Sequence, residues 1–370
     1  MKYKFEDIAI NSTAKKLPEP SDNERYIGLE HLDSGNLYVT RWGAETAPIG
    51  EKLLMKKGDV LFGKRRAYQK KVGIAPFDGI FSAHGMVLRP KEDVICKEFF
   101  PFFISSDYFL NEAIRISVGG LSPTINWKDL RVLEFELPSL EEQRVLADKL
   151  WAAYEVKESY KNLLAQTDKL LHAQFEKMFG EEESNGVVGN IATVVSGQSI
   201  PAILEDEKGD YPYVKVADFN IEGNERRIST SSHLITSENA EQSRIIPIGT
   251  IVFAKNGAAS LSNKKRVTNV ECCIDMNVIG VIPSEKVIPD FLLAFFESIN
   301  ISDYVRQGAI PSIAPKDVEN IGLFIPSMEK QLEFVRIAEQ AEQTKTSLNK
   351  GIEAIEAVIR SLIAEGTTKV

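Results

Sequence analysis

The sequence predicts an α+β protein built from two tandem copies of one unit, in which each copy ends in a long helix. Three observations predict it: a repeated motif, a heptad pattern that follows the motif in both copies, and short β-rich runs without regular strand–helix alternation. At 370 residues, the chain has room for two domains with hydrophobic cores. We expect a first globular domain over 1–138, a long helix over 139–180, a linker and second domain over 181–326, and a C-terminal helix over 327–366.

The internal repeat is clearest between residues 120–143 and residues 308–331, which align without a gap at an offset of 188. The first segment reads GLSPTINWKDLRVLEFELPSLEEQ and the second reads GAIPSIAPKDVENIGLFIPSMEKQ. A shorter match lies earlier in each copy, where Gly58–Phe62 resembles Gly249–Phe253. Two segments that match in the same order indicate a duplication.

The helix that follows the motif carries a heptad seam in both copies. Ser139 and Ser327 are suitable N-caps, and after them mostly apolar residues recur at alternating steps of four and three. In the first copy the seam comprises Leu146, Leu150, Ala153, Lys157, Tyr160, Leu164, Thr167 and Leu171. In the second copy it comprises Phe334, Ala338, Ala341, Lys345, Leu348, Ile352, Ile355 and Ile359.

The seam predicts that the two helices pair as an antiparallel coiled coil, which gives a pseudo-two-fold molecule. The alternative is that each amphipathic helix packs only on its own domain. Lys157 and Lys345 occupy the same seam position in the two copies. Polar seam residues can fix the register of a coiled coil, and the alternative for these lysines is that they extend along the surface to solvent.

The composition argues against several classes of protein. No apolar run approaches the ~20 residues of a membrane span, and the amino terminus lacks the apolar core of a signal peptide, so we expect a cytoplasmic protein. The three cysteines, Cys96, Cys272 and Cys273, do not have the spacing of a zinc site. No ATP-binding loop or methyltransferase active-site motif is present, so we expect no catalytic site and no metal.

Positive charge is concentrated in two tracts although the net charge is −9. Residues 60–77 and 242–270 each contain five basic residues and no acid, and each tract includes the strand of the shorter match. Arg and Lys can bind phosphates and guanine edges, whereas Asn can bind adenine. The candidate DNA contacts are Lys64, Arg65, Arg66, Tyr68, Lys70 and Lys71, and in the second copy Lys255, Asn256, Asn263, Lys264, Lys265 and Arg266. The alternative is that the tracts are ordinary solvated surface.

A second pair of loops precedes a short predicted helix in each copy. These loops cover 117–124 and 306–312, and from them we add Ser122 and Ser312 to the candidate DNA contacts. The free N–H groups at a helix start favour phosphate, and the alternative is a plain turn.

The twice-repeated Pro-Ser-[Leu/Met]-Glu-x-Gln motif, together with Gly-x-x-Pro-[Ser/Thr]-Ile before it, resembles the specificity subunits of type I restriction–modification systems. The resemblance implies two target-recognition domains that each read one part of a bipartite, asymmetric site in double-stranded DNA. It further implies that the long helices dock two modification (methyltransferase) subunits that bind S-adenosylmethionine, and that separate restriction (motor and nuclease) subunits use ATP. This chain would then bind no cofactor and no membrane. The competing hypothesis is a duplicated protein–protein scaffold, whose binding would not depend steeply on salt.

Overall fold

The protein forms two compact units in a computed structural model that describes residues 1–46, 48–200 and 209–368. Unit 1 comprises Met1–Lys161 and Asn349–Val370, and unit 2 comprises Asn162–Leu348. Both units mix helices and sheets, which confirms the predicted α+β class. The boundary falls inside both long helices, so each unit contains one globular domain and a part of each long helix.

Unit 1 is built on two four-stranded sheets, in the strand orders β2-β9-β6-β7 and β3-β5-β8-β4, with β1 and β10 forming a separate pair. The strands are β1 (Lys2–Lys4), β2 (Ala9–Ser12), β3 (Lys15–Lys16), β4 (Tyr26–Ile27), β5 (Lys52–Met55), β6 (Val60–Gly63), β7 (Val72–Ile74), β8 (Gly79–Phe81), β9 (Gly85–Pro90) and β10 (Glu134–Glu136). The short helices are α1 (Phe5–Ile8), α2 (Phe100–Ser105), α3 (Asp107–Arg115) and α4 (Trp127–Leu130). A phenylalanine cluster fills the core, in which Phe5, Phe109 and Phe135 are at most 1% exposed.

Two long helices complete the units: α5 (Leu140–Phe179) and α9 (Met328–Thr368). Between them in the chain, unit 2 has a five-stranded sheet in the order β12-β20-β17-β18-β14, a four-stranded sheet in the order β15-β13-β19-β16, and the pair β11-β21. The strands are β11 (Gly186–Val187), β12 (Ala192–Ser196), β13 (Tyr211–Val214), β14 (Arg227–Ile228), β15 (Leu234–Ile235), β16 (Ile245–Ile246), β17 (Ile251–Ala254), β18 (Lys265–Thr268), β19 (Cys272–Ile274), β20 (Val278–Pro283) and β21 (Gly322–Leu323). The short helices are α6 (Ser237–Gln242), α7 (Pro289–Ser298) and α8 (Pro315–Glu319).

The helices pair antiparallel, which confirms the predicted coiled coil. In unit 1 the beginning of α5 packs on the end of α9, because a Cβ atom at Gly366 would lie 2.8 Å from Cδ1 of Leu146. In unit 2 the end of α5 packs on the beginning of α9, where the rings of Phe175 and Phe334 are 5.2 Å apart. The predicted seam residues are all buried or half-buried: Leu146, Leu150, Lys157, Tyr160, Leu164, Leu171, Phe334, Lys345, Leu348, Ile352, Ile355 and Ile359. Within the described residues, no helix has the length and apolar character needed to span a membrane.

The two seam lysines form ion pairs between the helices. In unit 1, Nζ of Lys157 lies 3.0 Å from Oε1 of Glu356, and the lysine is only 5% exposed. In unit 2, Nζ of Lys345 lies 2.8 Å from Oδ1 of Asp168. The offset of 188 relates both the two lysines and the two acids, so one pairing scheme is used twice. The lysines therefore contribute to the register of the seam and do not extend to solvent.

The glutamine of the repeated motif attaches each long helix to its globular domain. The amide of Gln143 accepts a hydrogen bond from Cys96 N (2.7 Å) and donates to the carbonyl oxygens of Val94 (3.1 Å) and Pro138 (2.9 Å). Gln331 repeats the arrangement in unit 2 with Ile288 N, Lys286 O and Pro326 O. Both side chains are almost fully buried, at 0% and 1% exposure. The motif is therefore repeated because the same buried joint is built twice.

Candidate nucleic-acid interface

In each unit the structure brings the predicted basic tract and the predicted second loop together. In unit 1, the N–H of Arg66 donates to Pro123 O (2.8 Å), and the N–H of Ile125 donates to Lys64 O (2.9 Å). We call residues 64–71 and 117–124 loop pair 1. These contacts join two segments that are about 50 residues apart in the chain, so they form one surface feature.

Unit 2 repeats these contacts at the equivalent positions. The N–H of Gly257 donates to Pro311 O (2.8 Å), and the N–H of Ile313 donates to Lys255 O (3.0 Å). We call residues 255–264 and 306–312 loop pair 2. The equivalence shows that the duplication extends to the geometry of the loops, although their residues differ.

The basic loops have unusual backbone conformations. Within residues 1–46, 48–200 and 209–368, positive φ angles occur at three non-glycine residues, with values of 54° at Arg66, 49° at Lys70 and 56° at Asn263. Gly257, which occupies the position of Arg66, has a φ of 70°. L-residues rarely adopt this left-handed conformation, and strained backbone is concentrated at functional sites. The loops are therefore held in a costly shape that their surroundings must stabilise.

The exposed part of loop pair 1 is strongly electropositive. Arg65, Arg66 and Tyr68 are exposed, and Nη1 of Arg65 lies 3.2 Å from Nε2 of His84. Burial lowers the pKa of His84, and the positive charges of Arg65, Lys64 and Lys52 lower it further. Burial and the positive charge of Lys15 likewise lower the pKa of Lys64. Such a cluster of cations favours an anionic partner.

The last two lysines of the first basic tract are engaged within the protein. Nζ of Lys70 forms an ion pair with Asp107 at 2.5 Å, and Nζ of Lys71 donates to Leu29 O at 2.6 Å. Both lysines are half-buried. Arg65 and Arg66, in contrast, are exposed.

Loop pair 2 presents amides together with lysines. Nδ2 of Asn256 donates to Oδ1 of Asn277 (3.1 Å), and Nδ2 of Asn277 donates to Oδ1 of Asp275 (2.8 Å). Lys264 is exposed and its ammonium is hydrogen-bonded to Asn220, while Lys255 is half-buried. This surface is less positive and more polar than that of loop pair 1.

Two residues predicted to contact DNA lie on a strand of the sheet in unit 2. Lys265 is 4% exposed, and its ammonium donates to Oδ1 of Asn263 (2.6 Å) and to Ile299 O (2.7 Å). Arg266 is half-buried and donates to the carbonyl oxygens of Lys265 and Phe219. Lys265 on β18 pairs with Phe253, and the equivalent pair in unit 1 is Val72 with Phe62. Lys265 therefore takes the place of an apolar residue and faces the interior. We leave both residues out of loop pair 2.

The loops of residues 117–124 and 306–312 are turns closed by bridges. Val118 bridges Thr124 in unit 1 and Arg306 bridges Ser312 in unit 2, while Ser122 and Ser312 are half-buried. The helices that follow, α4 and α8, have only four and five residues, which is too short for a strong helix-start site. The geometry agrees with the plain turn.

Each of these turns exposes an apolar side chain at its tip, which the sequence reasoning missed. Leu121 is 99% exposed and Ile310 is 70% exposed. A lone Leu between Gly120 and Ser122 carries no periodicity, so only the structure identifies it. His84 is isolated in the sequence, which indicates only an ordinary polar or core residue, and Asn277 carries no signal. Only strand pairing places these two residues beside the basic loops.

The described residues contain no group of three or more His, Cys, Asp or Glu side chains arranged to hold a metal ion. The features of loop pairs 1 and 2 are instead cationic side chains, amides, an exposed tyrosine and apolar tips. These residue types suit phosphates and base edges better than they suit bond-breaking chemistry.

Comparisons with known proteins agree with this picture. The family model for the type I restriction modification DNA specificity domain matches residues 6–166 and 184–357. The chain is similar to the StySPI specificity subunit of Salmonella potsdam, with 22% identity over 78% of this chain and 68% of that protein. It is also similar to the EcoDI specificity subunit of Escherichia coli, with 27% identity over 56% of this chain and 48% of that protein. The chain thus spans about half to two thirds of the length of these relatives.

Solved structures support the fold. One, described as "Structural basis underlying complex assembly and conformational transition of the type I R-M system", has a TM-score of 0.61 at 17% identity and covers 99% of this chain and 97% of its own. The crystal structure of the type I restriction–modification S subunit from M. genitalium has a TM-score of 0.58 at 14% identity and covers 100% of this chain and 96% of its own. The curated relatives are described as specificity subunits of type I restriction enzymes. Because the family model matches both halves, the chain belongs to the type I restriction–modification DNA specificity family.

Proposed function

We propose that the chain recognises a bipartite, asymmetric sequence in double-stranded DNA, with loop pair 1 contacting one half-site and loop pair 2 the other. The observation that carries the proposal is that both units build the same loop pair from the same backbone contacts but expose different side chains. One scaffold used twice with different surfaces suits two different half-sites. A protein scaffold would not require strained, basic loops at equivalent places in both units.

Residue chemistry supports this division of labour. In loop pair 1, Arg66 and Lys64 are suited to phosphate contacts, and Tyr68 offers an exposed hydroxyl. In loop pair 2, Lys255 and Lys264 are suited to phosphates. The net charge of −9 weakens binding that depends on phosphates alone, so base contacts must supply a large share of the affinity.

We further propose that the long helices dock two modification subunits, one in each unit. In unit 2, α5 carries a second heptad stripe of uncharged, exposed residues, in which Leu163 is 47% and Leu170 is 68% exposed. In unit 1, the equivalent stripe on α9 includes Val358, which is 51% exposed. The exposed members of the stripes are Leu163, Gln166, Leu170 and Ala173 in unit 2, and Ala354, Val358 and Ser361 in unit 1. An uncharged stripe at heptad spacing is suited to a partner helix.

The remaining roles in this proposal belong to partners. S-adenosylmethionine would bind to the modification subunits and ATP to the restriction subunits, with no cofactor on this chain. The complex would act in the cytoplasm, where chromosomal DNA is accessible to it.

The recognition proposal is tested by selecting duplexes from a random library with the full chain in complex with its modification subunits. We expect a split sequence to be enriched, with binding that weakens steeply as salt increases. The triple substitution of Lys64, Arg65 and Arg66 by Ala should abolish selection of one half-site and leave the other. Enrichment of no sequence, together with salt-insensitive partner binding, would support the scaffold hypothesis instead.

A further inference from the structure

One side-chain pair occupies the same place in both units but differs in chemistry. In unit 1, Gly63 of β6 pairs with Gly85 of β9, which places Arg65 beside His84. In unit 2, Ala254 of β17 pairs with Val278 of β20, which places Asn256 beside Asn277. Arg65 bridges Thr124, and Asn256 bridges Ser312 at the equivalent position of the second loop. Both pairs therefore lie where the two segments of a loop pair meet.

The histidine of unit 1 holds the arginine in a defined orientation. A guanidinium can only donate, so the contact of Arg65 Nη1 with His84 Nε2 at 3.2 Å requires a neutral histidine that accepts at this nitrogen. Arg65, Lys64 and Lys52 lower the pKa of His84 and so favour this neutral form. Within the described residues the Arg65 side chain makes no other hydrogen bond, and the residue is exposed, so its remaining N–H groups are accessible to a partner. A donor fork matches the O6 and N7 acceptors of guanine.

A chain of hydrogen bonds fixes the amide of Asn256 in unit 2. Asp275 can only accept when ionised, so its contact at 2.8 Å identifies the nitrogen of Asn277, whose oxygen must then face Asn256. The nitrogen of Asn256 therefore points to Asn277. Its amide oxygen and second N–H remain as an adjacent acceptor and donor, which match the N6 donor and N7 acceptor of adenine.

We propose that these pairs are base-reading elements: Arg65, positioned by His84, selects a guanine in one half-site, and Asn256, positioned by Asn277, selects an adenine in the other. The inference rests on the proposed function and adds to it the purine that each unit reads. Arg65 and Asn256 contact the bases, while His84 and Asn277 act through them as positioning residues.

The test uses the complex of the full chain with its modification subunits and the duplex that wild type selects. Arg65→Ala should lose selectivity at one guanine, and Asn256→Ala at one adenine, by on the order of tenfold to a hundredfold. Replacing that guanine by 7-deazaguanine should weaken binding of wild type on the order of tenfold and leave binding of Arg65→Ala unchanged, because the modified base lacks N7. Lys255→Ala is the matched control, and it should weaken all duplexes alike.

The positioning residues have their own readout. His84→Ala should reduce the guanine preference while leaving the adenine preference intact, and His84→Gln, whose amide oxygen can take the place of the accepting Nε2, should restore it. If Arg65→Ala and Asn256→Ala weaken all sequences equally, the base-reading assignment is wrong while DNA recognition stands. If wild type selects no sequence at all, both the assignment and the proposed function are wrong.

Discussion

Replacing the buried glutamine of the repeated motif tests whether the joint between helix and domain stabilises unit 1. In Gln143→Leu, the volume of the side chain is nearly kept, but three hydrogen bonds are lost. The N–H of Cys96 is left without its partner in the interior, and the carbonyl groups of Val94 and Pro138 each lose a donor. The control is Lys149→Leu, at an exposed position of the same helix that also belongs to unit 1.

The expected loss follows from the burial of these groups. An unsatisfied buried N–H costs about 1–3 kcal/mol, and a carbonyl group that keeps some access to water costs less. The added apolar surface of leucine offsets about 1 kcal/mol. We therefore expect Gln143→Leu to lower the free energy of unfolding of unit 1 by about 2–4 kcal/mol.

Urea unfolding followed by tryptophan fluorescence measures this change selectively. The three tryptophans of the chain, Trp42, Trp127 and Trp151, all belong to unit 1, so the signal reports that unit. The control should shift the free energy by less than about 0.5 kcal/mol. A shift for Gln143→Leu no larger than that of the control would refute the joint as a source of stability.

Two further predictions concern contacts between the long helices in unit 1, and a third concerns the sheet of unit 2. Gly351→Ala should lower the free energy of unfolding of unit 1 by about 1–3 kcal/mol, because the Cβ of the new alanine would lie 2.5 Å from Cε2 of Tyr160. In a Tyr160→Leu background this clash is gone, and urea titrations should show the same change to be stabilising, since alanine has the higher helix propensity. A double-mutant cycle of Lys157→Met and Glu356→Gln should show a coupling on the order of 1 kcal/mol, and additive losses would contradict the register role. Burial lowers the pKa of Lys265 from 10.5 to about 8, so the unfolded state binds more protons between these pH values. The free energy of unfolding of unit 2, followed by circular dichroism, should therefore increase as the pH rises from about 8 to 10.5. Lys265→Met should not show this increase.

The long helices could be predicted from the sequence because a heptad pattern records which face is buried. The seam from Leu146 to Leu171 therefore needed no three-dimensional information. The partner of Lys157 could not be predicted in the same way, because pairing with Glu356 depends on the register of two helices far apart in the chain. Nor does the heptad pattern indicate that the end of α9 completes the core of unit 1.

The basic tracts located the candidate site, but a run of charge does not say where each side chain points. Lys264 and Lys265 are adjacent in sequence, yet Lys264 is exposed and Lys265 is buried, since β18 begins between them and alternates its side chains. His84 and Asn277 joined the site only through strand pairing. The motif glutamines were visible as a repeat, whereas their buried partners depend on the folded structure.

We infer that this chain determines which DNA sequence its complex recognises. It is tested most directly by expressing the chain with its modification subunits and mapping methylated bases in the host DNA by long-read sequencing. We expect a split motif that is absent without the chain, with the purine read by loop pair 2 altered in Asn256→Ala. One continuous motif, or a motif that is unchanged when the chain is removed, would contradict it.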